Sequence, residues 1–232
     1  MGEMVEFKSN GDMARGYLAV PSSGSGPGVI VVQEWWGLNP QIKGVADRLA
    51  GEGFVALAPD LYRGELAEHD EMDKAGHLMT TLPMDRAARD MTGAVDFLAA
   101  HSAVTGDGLG AIGFCMGGGL VLVLGTLRPD RIKAVVPFYG VVGFDDDNAP
   151  DWSNLAAPVE GHYAENDDFF PASKAQALEA GLRGLGKEAT VHVYPGCGHA
   201  FANETNPFGS YNADAADEAY ARAIAFLHAH IG

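Results

Sequence analysis

Gly113-Phe114-Cys115-Met116-Gly117 has the form G-x-C-x-G and sits between two apolar runs. Residues 108–112 before it read as a strand, and residues 120–127 after it read as a helix. A strand that turns sharply into a helix projects one side chain outward at the turn, and flanking glycines let the backbone bend that tightly. Cysteine holds the projecting position here. In that setting it is expected to be a nucleophile rather than a small core residue. The positive end of the helix dipole is expected to lower its thiol pKa, and a nearby imidazole would lower it further.

The same alternation extends along the chain. Residues 4–7 and 17–20 read as short strands of a hairpin-like region joined through Asn10-Gly11-Asp12. Residues 28–33 contain Val29-Ile30-Val31-Val32, a continuous β-branched run that suits a strand buried on both faces. Ile42, Val45, Ala46 and Leu49 then mark one helical face. A strand follows at 54–58, and 65–84 is polar and irregular, with a short helix near 72–79. Beyond it come a helix at 85–100, the strand at 108–113 and the helix at 116–125. Strands at 132–138 and 159–163, a helix at 171–185, a strand at 189–194 and a helix at 213–230 complete the reading. Strands alternating with helices predict an α/β fold with a mostly parallel central sheet and helices on both faces. No linker-like tract or internal repeat interrupts residues 1–232, so a single domain is expected.

Composition narrows the function classes. The net charge is -16, from 15 basic and 31 acidic residues, which argues against nucleic acid and anionic membrane surfaces as partners. The longest apolar run, near residues 120–124, is too short to span a bilayer. Two cysteines are too few for a disulfide framework, and the first ten residues carry Glu3 and Glu6 without a hydrophobic leader. A cytoplasmic location is the expectation. No cofactor or metal is expected either. Gly117-Gly118-Gly119 lacks the lysine and hydroxyl residue of a phosphate loop. Asp145-Asp146-Asp147-Asn148 starts like a calcium loop but has Pro150 and Ala156 where glycine and glutamate are needed.

A cysteine nucleophile needs a base, and the base needs an orienting acid. Asp167 and His199 follow Cys115 in that template's chain order, each just after an expected strand. His199 lies in Gly196-Cys197-Gly198-His199-Ala200-Phe201, where small neighbours permit close approach to another loop. Asp168 rivals Asp167, and Glu165 shares the same turn. The backbone N–H groups of Met116 and Trp35 are the expected oxyanion donors. Glu34 stands at a strand end facing the same region, with a helix-dipole or salt-bridge partner as its alternative reading. Trp35, Trp36 and Tyr139 are candidates for an apolar substrate wall, although core packing explains any single one equally well.

Taken together these residues resemble the dienelactone hydrolase family of α/β-hydrolases. The resemblance spans most of the chain: Gln33-Glu34 with Gly37, Ala58-Pro59-Asp60-Leu61-Tyr62, the Cys115 motif with Gly118, Phe138-Tyr139-Gly140, Asp167 with Pro171, and Gly198-His199-Ala200-Phe201. It implies a Cys115–His199–Asp167 triad, with Glu34 helping to deprotonate the thiol when substrate arrives. It implies hydrolysis of a lactone or small ester through a thioester, without a metal. It also implies two arginines that bind a substrate carboxylate. Arg63 would match one, but the segment expected to supply the other reads Ala202-Asn203-Glu204. That departure implies a substrate other than an anionic dienelactone, or weaker carboxylate recognition. A second reading keeps the fold without turnover, as a ligand-binding or redox-responsive protein with Cys115 modified and Cys197 nearby.

Overall fold

The continuous β-branched run forms a strand buried on both faces at the centre of an eight-stranded sheet. The computed structural model describes residues 2–9, 11–144, 146–147 and 149–232. Asn10 of the expected turn, and Asp145 and Asn148 of the rejected calcium loop, lie outside the described residues. In chain order the elements are β1 (Glu3–Ser9), β2 (Asp12–Ala19), β3 (Gly26–Val32), α1 (Pro40–Gly51), β4 (Val55–Pro59), α2 (Met72–Thr81) and α3 (Met84–Ala99). They continue with β5 (Val104–Phe114), α4 (Met116–Leu127), β6 (Ile132–Phe138), β7 (Val159–Asn166), α5 (Ala172–Gly184), β8 (Ala189–Gly198) and α6 (Ala213–Ile231). A short 3-10 turn at Trp152–Asn154 is the one described helical element that the sequence pattern did not indicate.

The sheet order is β1-β2-β4-β3-β5-β6-β7-β8. The β1–β2 and β2–β4 pairs are antiparallel, and every other pair is parallel. Parallel strands end at one edge of the sheet, so the loops after β3, β5, β6, β7 and β8 gather there. α1 and α6 pack one face, through Ile42, Val45, Leu49, Ala223 and Leu227. α3, α4 and α5 pack the other, through Met91, Val95, Leu120, Leu124 and Leu178. α4 is apolar on nearly all sides because it sits between the sheet and neighbouring elements. Asn39 caps α1 by accepting from the Ile42 N–H at 3.0 Å, with Pro40 at the first helical position.

Several strands run further than local sequence suggested. β1 pairs along its whole length with β2, from Ser9↔Asp12 to Glu3↔Leu18. β7 and β8 extend to a last pair, Asn166↔Gly198, which places Asp167 and His199 immediately beyond two adjacent strand ends. No helix among the described residues is long and apolar enough to cross a membrane.

α4 can lie against the end of β3 only because Gly117 has no side chain. A Cβ there would press on the Val32 and Gln33 carbonyl oxygens. Gly117→Ala is therefore expected to cost about 1–3 kcal/mol, as overpacked sites do. Thermal melting should fall by roughly 2–4 °C per kcal/mol; an unchanged melt would contradict this packing.

Candidate active site

The chain enters α4 through Cys115, whose backbone has φ 54° and ψ -120°. A non-glycine residue held there costs on the order of 1–3 kcal/mol, so the surroundings must over-determine it. They do so through two hydrogen bonds. The Cys115 N–H donates to the Phe138 carbonyl at 3.0 Å, and the Cys115 carbonyl accepts from the Gly118 N–H at 2.9 Å. The thiol is aimed at the sheet edge and is 7% exposed.

Beyond β3 the chain turns inward. The Gly37 N–H closes the turn onto the Glu34 carbonyl at 3.2 Å, and the Gln33 side chain accepts from the Leu61 N–H at 3.2 Å. The Trp35 and Met116 N–H groups both approach the Cys115 sulfur. Burial pushes the thiol far up, and the Glu34 carboxylate pushes it further; those two N–H groups act the other way. This corrects the expectation of a dipole-activated thiolate. In the free protein Cys115 carries its proton, and no hydrogen bond joins it to His199 among the described residues.

Glu34 is 1% exposed. One carboxylate oxygen accepts from the Asn203 side-chain amide at 2.9 Å, and the other has no hydrogen-bond partner. Burial raises its pKa from 4.5 to about 6; His199, Asn203 and Tyr139 hold it back from rising further. The Tyr139 hydroxyl lies near Glu34 but short of hydrogen-bond geometry.

Asp167 is buried and saturated. Oδ1 accepts from the Phe169 and Phe170 N–H groups at 2.8 Å each, and Oδ2 lies 2.8 Å from His199 Nδ1. Its rivals point elsewhere: Asp168 is exposed, and Glu165 accepts from the Gly196 N–H at 2.8 Å. Four rings surround the imidazole, with centroids 5.4 Å away for Tyr139, 4.9 Å for Phe169, 5.7 Å for Phe170 and 5.5 Å for Phe208.

Cys115 and His199 open onto one cavity of about 180 Å³, walled by Trp35, Met79, Phe169, Phe170 and Phe208. Of the expected substrate contacts, Trp35 lines the cavity, and Arg63, Trp36 and Tyr139 do not. Arg63 is held by Asp12 at 2.5 Å and Asp90 at 3.3 Å. Trp36 is fully buried behind Trp35, their centroids 5.0 Å apart, and Tyr139 is fully buried beside His199. Sequence reading missed Met79, the two phenylalanines after Asp168, and Phe208. For the phenylalanines, apolar residues in otherwise polar loops were the available signal; Met79 sits at the exposed side of α2. It also missed Asn203, which formally starts a glycosylation sequon but is fully buried against Glu34. Cys197 is buried outside the cavity, its thiol pushed up by burial and by Glu165. No group of His, Cys, Asp and Glu among the described residues is arranged to hold a metal ion.

A family model described as the dienelactone hydrolase family matches residues 14–231. The chain is 39% identical to Protein usf of Aquifex pyrophilus and 36% identical to a putative carboxymethylenebutenolidase of Aquifex aeolicus, in each case over 100% of both chains. Among solved structures, a putative dienelactone hydrolase from Klebsiella pneumoniae superposes with a TM-score of 0.83 at 29% identity, over 98% of this chain and 99% of that one. The chain belongs to the dienelactone hydrolase family of the α/β-hydrolase superfamily.

Proposed function

We propose that this chain is a carboxylic ester hydrolase that cleaves a lactone or small ester through a Cys115 thioester. The observation that carries the reading is that Cys115 and His199 open onto one cavity while Asp167 holds the far nitrogen of the imidazole. Relatives named putative carboxymethylenebutenolidase support the substrate class.

Glu34 is the group that takes the thiol proton. Its free carboxylate oxygen is buried beside a thiol that cannot ionise unaided. The resulting thiolate attacks the ester carbon. The Trp35 and Met116 N–H groups, which already approach the sulfur, hold the developing oxyanion. The C–O bond breaks, and the expelled oxygen takes up the proton that left the thiol. Water then attacks the thioester as His199 Nε2 accepts its proton. The departing sulfur recovers that proton from His199, which restores thiol, imidazole and carboxylate. Asp167 on Nδ1 fixes the tautomer that leaves Nε2 free to accept.

Cleavage of 4-nitrophenyl acetate tests the reading directly. Cys115→Ala is expected to lose on the order of 10³-fold or more in kcat/KM. Acid-quenched wild-type protein should carry one acetyl group on Cys115 by mass spectrometry. Full activity in the alanine variant would end the thioester mechanism.

Glu34 adds a pH signature. Its folded pKa of about 6 exceeds its ordinary 4.5, so the folded state keeps a proton that the unfolded chain has released. Stability therefore falls as pH rises from about 4.5 to 6, and above that window the buried charge costs on the order of 2 kcal/mol. Glu34→Gln should melt higher than wild type at pH 7 and lose this difference at pH 4. The same variant should lower kcat/KM by about 10²-fold or more, as loss of a proton acceptor does. Wild-type kcat/KM should decline below pH about 6. A variant that is both as active and no more stable at pH 7 would remove Glu34 from the mechanism.

A further inference from the structure

The cavity beside Cys115 has a size, a wall chemistry and a charge environment that together restrict what can enter. Its volume is about 180 Å³. For scale, an apolar cavity of about 150 Å³ takes up benzene. Apart from Cys115 and His199, every described residue lining it is aromatic or methionine. The apolar character reaches the mouth, where Phe169 is 55% exposed and Met79 is 36% exposed. Apolar side chains left in water around a concave site mark a binding surface for apolar groups.

Charge points the same way. Among the described residues, no lysine or arginine lines the cavity. Arg63 is committed to Asp12 and Asp90, and Lys174 to Asp146 at 2.8 Å. His199 shares the cavity with Cys115, but the charged groups that act on the thiol are carboxylates: Glu34 and Asp167 both disfavour negative charge on its sulfur. The amide of Asn203, not a cation, satisfies Glu34. A carboxylate brought into such a wall loses its hydration and gains no partner.

We infer that the substrate is an uncharged ester or lactone carrying a single aryl-sized apolar group, which seats in the cavity against Trp35, Phe169, Phe170 and Phe208. This rests on the ester-hydrolase reading of the same site. These side chains pack on one another, with Trp35 and Phe208 6.3 Å apart and Phe169 and Phe208 5.7 Å, so they form one continuous aromatic wall on whose open side the aryl ring gains edge and face contacts.

The test compares esters of equal size that differ only in charge. One pair is 4-acetylphenyl acetate and 4-carboxyphenyl acetate; the other is the 4-nitrophenyl esters of 4-acetylbenzoic and terephthalic acid. Each kcat/KM is corrected for the ester's own hydroxide rate. The neutral member of both pairs should be favoured by about tenfold or more. An anion handled as well as its neutral partner, in either pair, overturns the inference while leaving the hydrolase reading intact. Met79→Lys places a cation at the mouth and should narrow the gap at low ionic strength, with added salt reopening it. Should that variant fail to fold, Phe169→Lys makes the same test at a more exposed position. A gap unmoved by a folded lysine variant also overturns the inference. Titration calorimetry with acetophenone and benzoate reads the preference without turnover: acetophenone should bind more tightly. Equal or tighter binding of benzoate counts against the inference even if no ester is cleaved and the hydrolase reading fails.

Discussion

The site depends on holding one cysteine in a backbone conformation that cysteine does not favour. At φ 54° the chain can leave β5 and enter α4 within a single residue. The required geometry is imposed by neighbours. β6 offers the Phe138 carbonyl to the Cys115 N–H, and Gly118 returns a bond to the Cys115 carbonyl. A conformational cost of roughly 1–3 kcal/mol is small against the burial of α4 and the central strands, so the fold can sustain it. The same geometry sets the thiol between two N–H groups and beside Glu34.

Burial then creates an opposition that the arrangement of charges resolves. The sheltered thiol holds its proton, and the sheltered Glu34 carboxylate resists losing its own. Two reluctant acids side by side compete for a single charge. Asn203 tilts the balance by donating to one Glu34 oxygen while the other stays unpaired. A cation in place of that amide would hold the negative charge on Glu34 more firmly and make the carboxylate a weaker proton acceptor.

Local pattern carried much of the fold into view. The β-branched run of β3, the amphipathic spacing of α1 and the apolar α4 are decided by neighbours within a few residues. The ends of β7 and β8 were not, because Asn166 and Gly198 extend their strands only by pairing with each other. The chain order of Cys115, Asp167 and His199 was equally readable. The state of the thiol was not: dipole and imidazole arguments are local, whereas the burial that outweighs them comes from residues distant in sequence. Arg63 misled for the same reason, since its partners Asp12 and Asp90 arrive from β2 and α3. Trp36 and Tyr139 turned inward, while Trp35 lines the cavity beside Met79 of α2 and phenylalanines from loops without periodicity.

Phe169, Phe170 and Trp35 each do two jobs with different parts of the same residue. Their rings form the cavity wall, while their main-chain N–H groups clamp Asp167 or approach the Cys115 sulfur. A main-chain N–H is the same whatever side chain it carries, proline excepted. The wall can therefore be rewritten, residue by residue, without dismantling the polar contacts behind it. Changes to the wall can alter what the cavity accepts while the polar contacts behind it stay in place.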